Sequence, residues 1–284
     1  MLVFKTVAAL QSWVQRKRAG GALIGFVPTM GALHDGHLEL VRLAKRAGDL
    51  AVASIFVNPT QFNDPGDLKK YPRTPGRDLE MLLSVHCDAV FMPSEEEIYP
   101  PGRDISVNID LGILDKVMEG AFRPGHFKGM MTVVKRLLEI VQPDNLYMGQ
   151  KDFQQLTIVA NMIWELGLDV QLVMCHTVRE HDGLAMSSRN VRLSPEQRRL
   201  APLIYKTLQE ARSHILQQPV SLIAAQAVEQ LSAAGFRPEY FEIVDGYTLQ
   251  TVSGPSESDL IVACVAAWLG EVRLIDNLIL KNDR

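Results

Sequence analysis

The sequence predicts an α/β protein, a doubly wound parallel sheet followed by a smaller α+β domain. Two observations carry this. Through the first 177 residues, short apolar runs that stop at Pro, Gly or polar residues alternate with longer stretches of helical spacing, the pattern of βαβ units. Beyond that point the rhythm changes to two helical stretches and then three strand-like runs with no crossover between them. The expected domains are 1–177 and 178–284.

Thr6 to Arg18 has apolar residues at helical spacing and a basic end, with Gly20-Gly21 as the stop. Ala22–Val27 reads as a buried strand that Pro28 ends, because proline has no N–H for a ladder. A helix is expected from about Gly36 to Ala47, and Ala51–Val57 is the next strand. Residues 63–76 read as a turn-rich loop, Arg77–Val85 as a helix and Asp88–Met92 as a strand. Glu95-Glu-Glu97 is a solvated face or helix start without assigned chemistry. Ile105–Ile109 alternates as a short strand, and Lys116–Lys128 reads as a charged loop. Met130–Val141 is a helix, Asn145–Met148 a strand, Phe153–Leu166 a helix and Val170–Cys175 a strand. In the second domain Ser194-Pro starts a long helix over 195–217. A second helix follows at 221–234, then strands at Tyr240–Val244, Leu260–Trp268 and Val272–Ile279.

At 47% hydrophobic and 22% charged, the chain can bury a core of ordinary size. A net charge of −4 argues against a general nucleic-acid binder. Cys87, Cys175 and Cys264 are scattered and odd in number, so they read as buried free thiols in a reducing compartment, not a disulfide framework. The N-terminus lacks the basic-then-apolar pattern of a signal peptide, and no uncharged apolar run is long enough to span a membrane. A cytoplasmic protein is expected.

The stretch from Ala22 to His37 organises the chain. His34 and His37 sit at a strand-to-helix turn, where open α/β sheets bind ligands and helix-start N–H groups favour anions. Gly31-Ala-Leu-His-Asp-Gly36 has Walker A glycine spacing, but His37 and Leu38 stand where Lys and Ser/Thr are required. Three readings stay open at this point: a zinc-ligand pair without a completing Cys or Glu nearby, two histidines of a surface turn, or a phosphate-contacting His-x-Gly-His signature. Other strand ends carry unusual polar sets as well: Asn58/Gln61, then Gln150/Lys151/Asp152 with Gln155, and the segment Met186-Ser-Ser-Arg189. Each alone could be an exposed polar turn. In a parallel sheet, however, strand ends line one edge, so these sets can face one ligand. Lys151 and Arg189 suit phosphates, and the serines offer hydroxyl donors.

With these stretches in order, the chain resembles the pantoate–β-alanine ligase family of the His-x-Gly-His nucleotidyltransferase superfamily. The matching motifs are Pro28-Thr-Met-Gly-Ala-Leu-His-Asp-Gly-His37, Phe56-Val-Asn-Pro-Thr-Gln-Phe62, Tyr71-Pro-Arg-Thr74, Arg123-Pro-Gly-His-Phe127, Gly149-Gln-Lys-Asp-Phe-Gln-Gln155 and Asp182-Gly-Leu-Ala-Met-Ser-Ser-Arg-Asn190. The resemblance implies a Rossmann-like, nucleotidyltransferase-type catalytic domain with a C-terminal lid, a homodimer, and a two-step ligation through a pantoyl adenylate. It implies His37, His34 and Lys151 as catalytic residues. It implies ATP contacts from Met30, Gly31, Ala32, Leu33, His34, Asp35, Gly36 and His37. Further ATP contacts are implied from Gly149, Gln150, Lys151, Asp152, Val178, Met186, Ser187, Ser188 and Arg189. Gln61 and Gln155 are implied to bind pantoate, and Gln61 also β-alanine. Mg²⁺ is expected to travel with ATP, without a protein metal site. Tyr71, Glu119 and Arg123 are further candidates for shaping or closing the pocket. A plain adenylyltransferase would need another cationic subsite for a phosphorylated acceptor, and a non-catalytic nucleotide sensor would be expected to lack a histidine or Lys151.

Overall fold

The computed structural model describes residues 1–62 and 65–283. In chain order it contains β1 (Leu2–Phe4), α1 (Val7–Ala19), β2 (Ile24–Thr29), α2 (Asp35–Ala47), β3 (Leu50–Ile55), α3 (Pro65–Lys70), α4 (Pro75–Ser84), β4 (Ala89–Phe91) and α5 (Glu95–Ile98). There follow α6 (Glu119–Phe122), α7 (His126–Val141), β5 (Asn145–Gly149), α8 (Phe153–Glu165) and β6 (Gln171–Cys175). The last part holds α9 (Pro195–Leu200), α10 (Leu203–His214), α11 (Val220–Ala233), β7 (Arg237–Asp245), β8 (Leu260–Leu269) and β9 (Val272–Asn282).

The described strands form a six-stranded sheet in the order β1-β4-β3-β2-β5-β6, all neighbours parallel, and a three-stranded antiparallel sheet β7-β8-β9. From β2 the chain winds outward through β3 and β4, then returns to the other flank of β2 as β5 and β6. The switch of direction therefore lies between β2 and β5, where doubly wound sheets bind ligands beyond the carboxyl ends of their strands. The central strands are buried on both faces, which is why Phe26, Val52, Val90 and Leu146 read as continuous apolar runs.

The chain divides into two compact units: 1–110, 123–149 and 158–176 form the first, and 111–122, 150–157 and 177–284 the second. The expected cut at 177/178 therefore omits two earlier segments that pack with the C-terminal unit. Their attachment is polar and specific. Gln154 donates to the carbonyls of Leu114 and Val117 at 2.7 and 2.9 Å and accepts from the Glu119 N–H at 2.9 Å. Arg273 of β9 grips Glu119 at 2.6 and 2.9 Å and also donates to Glu239 at 2.8 Å. Tyr240 adds a 2.7 Å bond to Glu119; burial, with that carboxylate beside it, pushes its phenol well above the ordinary range. Side-chain hydrogen bonds over such sequence separations leave no local periodicity to detect.

Other differences have physical causes. β2 runs through Pro28 to Thr29, because β2 pairs with β5 only at Gly25 and Phe26, so the missing Pro28 N–H has no ladder partner to disappoint on that flank. Ile105–Ile109 is not a strand: Val107 is buried and its neighbours alternate in exposure, but no ladder partner exists among the described residues. The segment 116–128 holds α6 and the start of α7, which begins at His126 behind Gly125 in the left-handed region. The expected loop 63–76 contains α3, and its residues 63 and 64 lie outside the described residues. The helix expected over 195–217 is two helices, α9 and α10, divided at Pro202, whose ring excludes the preceding turn's hydrogen bonding. β1, at three residues, is too short to show a pattern. The cysteines are buried free thiols, and burial pushes Cys87 up to about 11. Among the described residues no helix is long and apolar enough to cross a membrane.

Removing Arg273 would strand the buried carboxylate of Glu119 and the half-buried one of Glu239. Arg273→Ala should lower the unfolding free energy by about 3–5 kcal/mol in urea denaturation. A loss within the range of a surface ion pair, below about 1 kcal/mol, would contradict the buried-network account.

Candidate active site

β2 delivers the chain to a turn with two consecutive residues at positive φ, Gly31 at 81° and Ala32 at 51°. A Cβ at Gly31 would sit 3.0 Å from both Asp78 Oδ2 and Ile55 Cγ2, so the position is also sterically tight. Ala32 has no such freedom and needs outside support. Asp78 of α4, buried, supplies it: its carboxylate accepts from the Ala32 N–H at 3.0 Å and the Leu33 N–H at 2.9 Å. Thr74 Oγ1 donates to the same carboxylate at 3.1 Å. Thr29 Oγ1 accepts from the Gly31 N–H at 3.2 Å and donates to the Ser54 carbonyl at 2.6 Å.

The turn places His34 at the N-cap of α2. His34 Nδ1 accepts from the Gly36 N–H at 3.2 Å, and His37 Nδ1 accepts from the His34 N–H at 3.3 Å, a capping box built from two imidazoles. An accepting Nδ1 carries no proton, so in each neutral ring the proton sits on Nε2. The rings lie 4.1 Å apart between centroids and are half-buried. The pair is thus two fixed Nε2–H donors over a helix N-terminus, an arrangement that suits an anion.

Beyond the neighbouring strand β3, Asn58 is almost fully buried and caps a 3₁₀ turn over Pro59–Gln61. Its amide donates to Gln61 Oε1 at 3.1 Å and to the Gly129 carbonyl at 3.2 Å, while its Oδ1 accepts from Thr60 and from the Tyr99 hydroxyl. Gln61 Nε2 points to Met30 Sδ at 3.1 Å, so the ends of β2 and β3 are brought together as expected. His126 Nδ1 lies 2.8 Å from the Gln61 carbonyl. Gly129 on α7 is required by close approach, since a Cβ there would run into the Thr60 backbone. Tyr71 is buried edge-on against Phe62, and Arg123 is half-buried.

The second unit holds the other expected set. After Gly149 the chain makes a 3₁₀ turn over Gln150–Asp152, with Gln150 buried, Lys151 half-buried and Asp152 exposed; Gln155, on α8, is half-buried. Residues 178–186 form a tight antiparallel loop, with Met186 N–H donating to the Val178 carbonyl at 3.0 Å and Gly183 at φ 93° in its turn. Val178 and Met186 are thereby neighbours. Ser187, Ser188 and Arg189 follow, half-buried, and Ser187 Oγ accepts from the Arg189 N–H at 3.2 Å. Glu119 is committed to Arg273 and Tyr240, which makes it a buried structural acid.

Sequence reasoning missed Asp78, which reads as an ordinary acid in a helix first turn, along with Tyr99 and the Arg179–Asp276–Asn277 group. It placed His126 in a charged loop and in the Arg123–Phe127 motif without giving it a role. Their partners are remote in sequence, and only three-dimensional structure reveals them.

Comparison with known proteins agrees with the motifs. A family described as pantoate–β-alanine ligase matches residues 2–279. A pantothenate synthetase of Porphyromonas gingivalis strain W83 is 49% identical over 98% of this chain and 99% of its own, and one of Pseudomonas putida is 47% identical over 99% and 98%. The crystal structure of a pantothenate synthetase from Thermus thermophilus superposes with a TM-score of 0.90 at 44% identity, covering 99% of this chain and 100% of that one. A pantoate–β-alanine ligase from Francisella tularensis, solved with β,γ-ATP and β-alanine, gives 0.81 at 35% identity over 99% and 98%. The chain belongs to the pantoate–β-alanine ligase family.

Proposed function

We propose that the protein joins pantoate to β-alanine in two steps. A pantoate carboxylate oxygen attacks the α-phosphorus of ATP, forming pantoyl adenylate and expelling pyrophosphate. The β-alanine amine then attacks the acyl carbon, the bond to AMP breaks, and pantothenate forms as the amine gives up a proton. Family membership supports the overall reaction. The observation that best supports an adenylate route is the pair of fixed Nε2–H donors of His34 and His37 over the α2 N-terminus, at the switch point of the sheet.

On this reading the two imidazoles take the α-phosphate, where negative charge shifts during in-line attack, each donating a hydrogen bond from Nε2 and keeping its proton. Such a step needs positioning and charge neutralisation more than covalent help. Lys151, Ser187, Ser188 and Arg189 take the departing pyrophosphate, with Gly149, Gln150, Asp152, Val178 and Met186 around the nucleotide. Gln61 and Gln155, neutral amides with both donors and acceptors, take the pantoate hydroxyls and carboxylate, and Gln61 also meets β-alanine. Mg²⁺ would come with ATP and would offset the charge of its phosphates.

The direct test is pantoate-dependent ATP–pyrophosphate exchange without β-alanine. The adenylate route predicts exchange; a nucleotide sensor predicts none. His34→Asn is the informative variant, because Asn is itself a good N-cap and preserves the helix start while removing the imidazole. It should melt like the unmodified protein and lose roughly 10²–10³ in exchange rate, the usual cost of deleting a preorganised transition-state donor. Unchanged exchange would remove His34 from the chemistry.

Lys151 and Gln61 should fail differently. Lys151→Ala should lower the single-turnover rate of adenylate formation at saturating ATP and pantoate. Gln61→Ala should raise the pantoate concentration required while leaving ATP affinity near its original value. An untouched saturated rate in the lysine variant, or weakened ATP binding alone in the glutamine variant, would reverse the substrate assignment.

A further inference from the structure

From the side chains within the second unit we infer that Asn277 of β9, next to the ion pair between Arg179 and the buried Asp276, is a positioning residue for the phosphate-binding cation Lys151. The inference rests on the role given to Lys151 above. Asn277 is 2% exposed, and its amide nitrogen donates to two successive carbonyls of the 3₁₀ turn, Gln150 at 2.9 Å and Lys151 at 2.8 Å. Its Oδ1 accepts from Gln150 Nε2 at 3.1 Å, so one side chain fixes both the backbone and the side chain of the turn. A 3₁₀ turn has poor internal hydrogen-bond geometry, and two carbonyls held from outside set the direction in which Lys151 leaves it.

The preceding residue performs the same task for the other cationic segment. Asp276, buried, accepts from both Arg179 terminal nitrogens at 2.5 and 3.0 Å. Arg179 also donates to the Gly183 carbonyl at 3.0 Å and the Asn277 carbonyl at 3.3 Å, and stacks over Tyr205 at 3.7 Å. Asp276 Oδ1 accepts from the Asn277 N–H at 2.8 Å as well, so the two clamps share one carboxylate. Two adjacent residues of β9 thereby hold the turn that carries Lys151 and the 178–186 loop that leads into Ser187, Ser188 and Arg189.

The test is a double-mutant cycle between Asn277 and Lys151, read by single-turnover adenylate formation with ATP and pantoate titrated separately. Asn277→Ala should lower the saturated rate about 10- to 100-fold, the scale expected when a reacting group is misplaced by an ångström or so, with the pantoate requirement unchanged. In the Lys151→Ala background the same change should cost less than about twofold, because the group it positions is gone. A rate equal to the unmodified protein's, an equal loss in both backgrounds, or a loss confined to pantoate binding would overturn the inference. If Lys151→Ala alone leaves the saturated rate intact, the lysine assignment fails first and the inference with it, an outcome distinct from an active-lysine cycle that proves additive. Should Asn277→Ala not accumulate as folded protein, Asn277→Ser, which keeps one hydroxyl donor, goes through the same cycle with the same criteria.

Discussion

The turn that carries His34 and His37 depends on one buried carboxylate. Ala32 is held at φ 51°, a conformation an alanine adopts only against a cost of order 1–3 kcal/mol. Asp78 offsets that cost by taking the two N–H groups that the turn leaves without backbone partners. The placement of the histidines follows from this. With the turn fixed, His34 reaches the N-cap of α2, the two Nδ1 atoms are consumed as acceptors, and each neutral ring keeps its proton on Nε2. In the neutral rings the tautomer is thus set by secondary structure.

The two units carry different sets of candidate groups, with the amide Gln155 in the second. The first carries neutral groups: imidazoles fixed as donors, and amides at Asn58 and Gln61 held by a network that includes Tyr99 and the Gly129 carbonyl. The second carries the cations, Lys151 and Arg189, on segments tied to β9. A carboxylate substrate and a triphosphate make opposite demands. In the proposed reaction the former is recognised by amides and the latter neutralised by cations.

Much of the first sheet was legible in the sequence because buried parallel strands read as apolar runs bounded by breakers. The His34/His37 and Asn58/Gln61 motifs could be placed at the ends of neighbouring strands for the same reason. What escaped was non-local. Asp78, Arg273 and Asn277 act through partners dozens to more than a hundred residues away, and no period or spacing announces such a bond. The helix expected across Pro202 and the strand expected at Ile105–Ile109 failed for a different reason: amphipathic spacing records which side is buried, and it does not record whether a hydrogen-bond partner is present. The joining of 111–122 and 150–157 to the C-terminal unit belongs to the first class, since it is made by Gln154, Glu119 and Arg273.

The central claim, that the pantoate carboxylate itself attacks the α-phosphorus, is tested most directly by following its oxygen. With pantoate labelled with ¹⁸O in both carboxylate positions, ATP and β-alanine, one labelled oxygen should appear in AMP and one should remain in the amide carbonyl of pantothenate. Label found in inorganic phosphate, or AMP free of label, would contradict an acyl adenylate and with it the roles given to His34, His37 and Lys151.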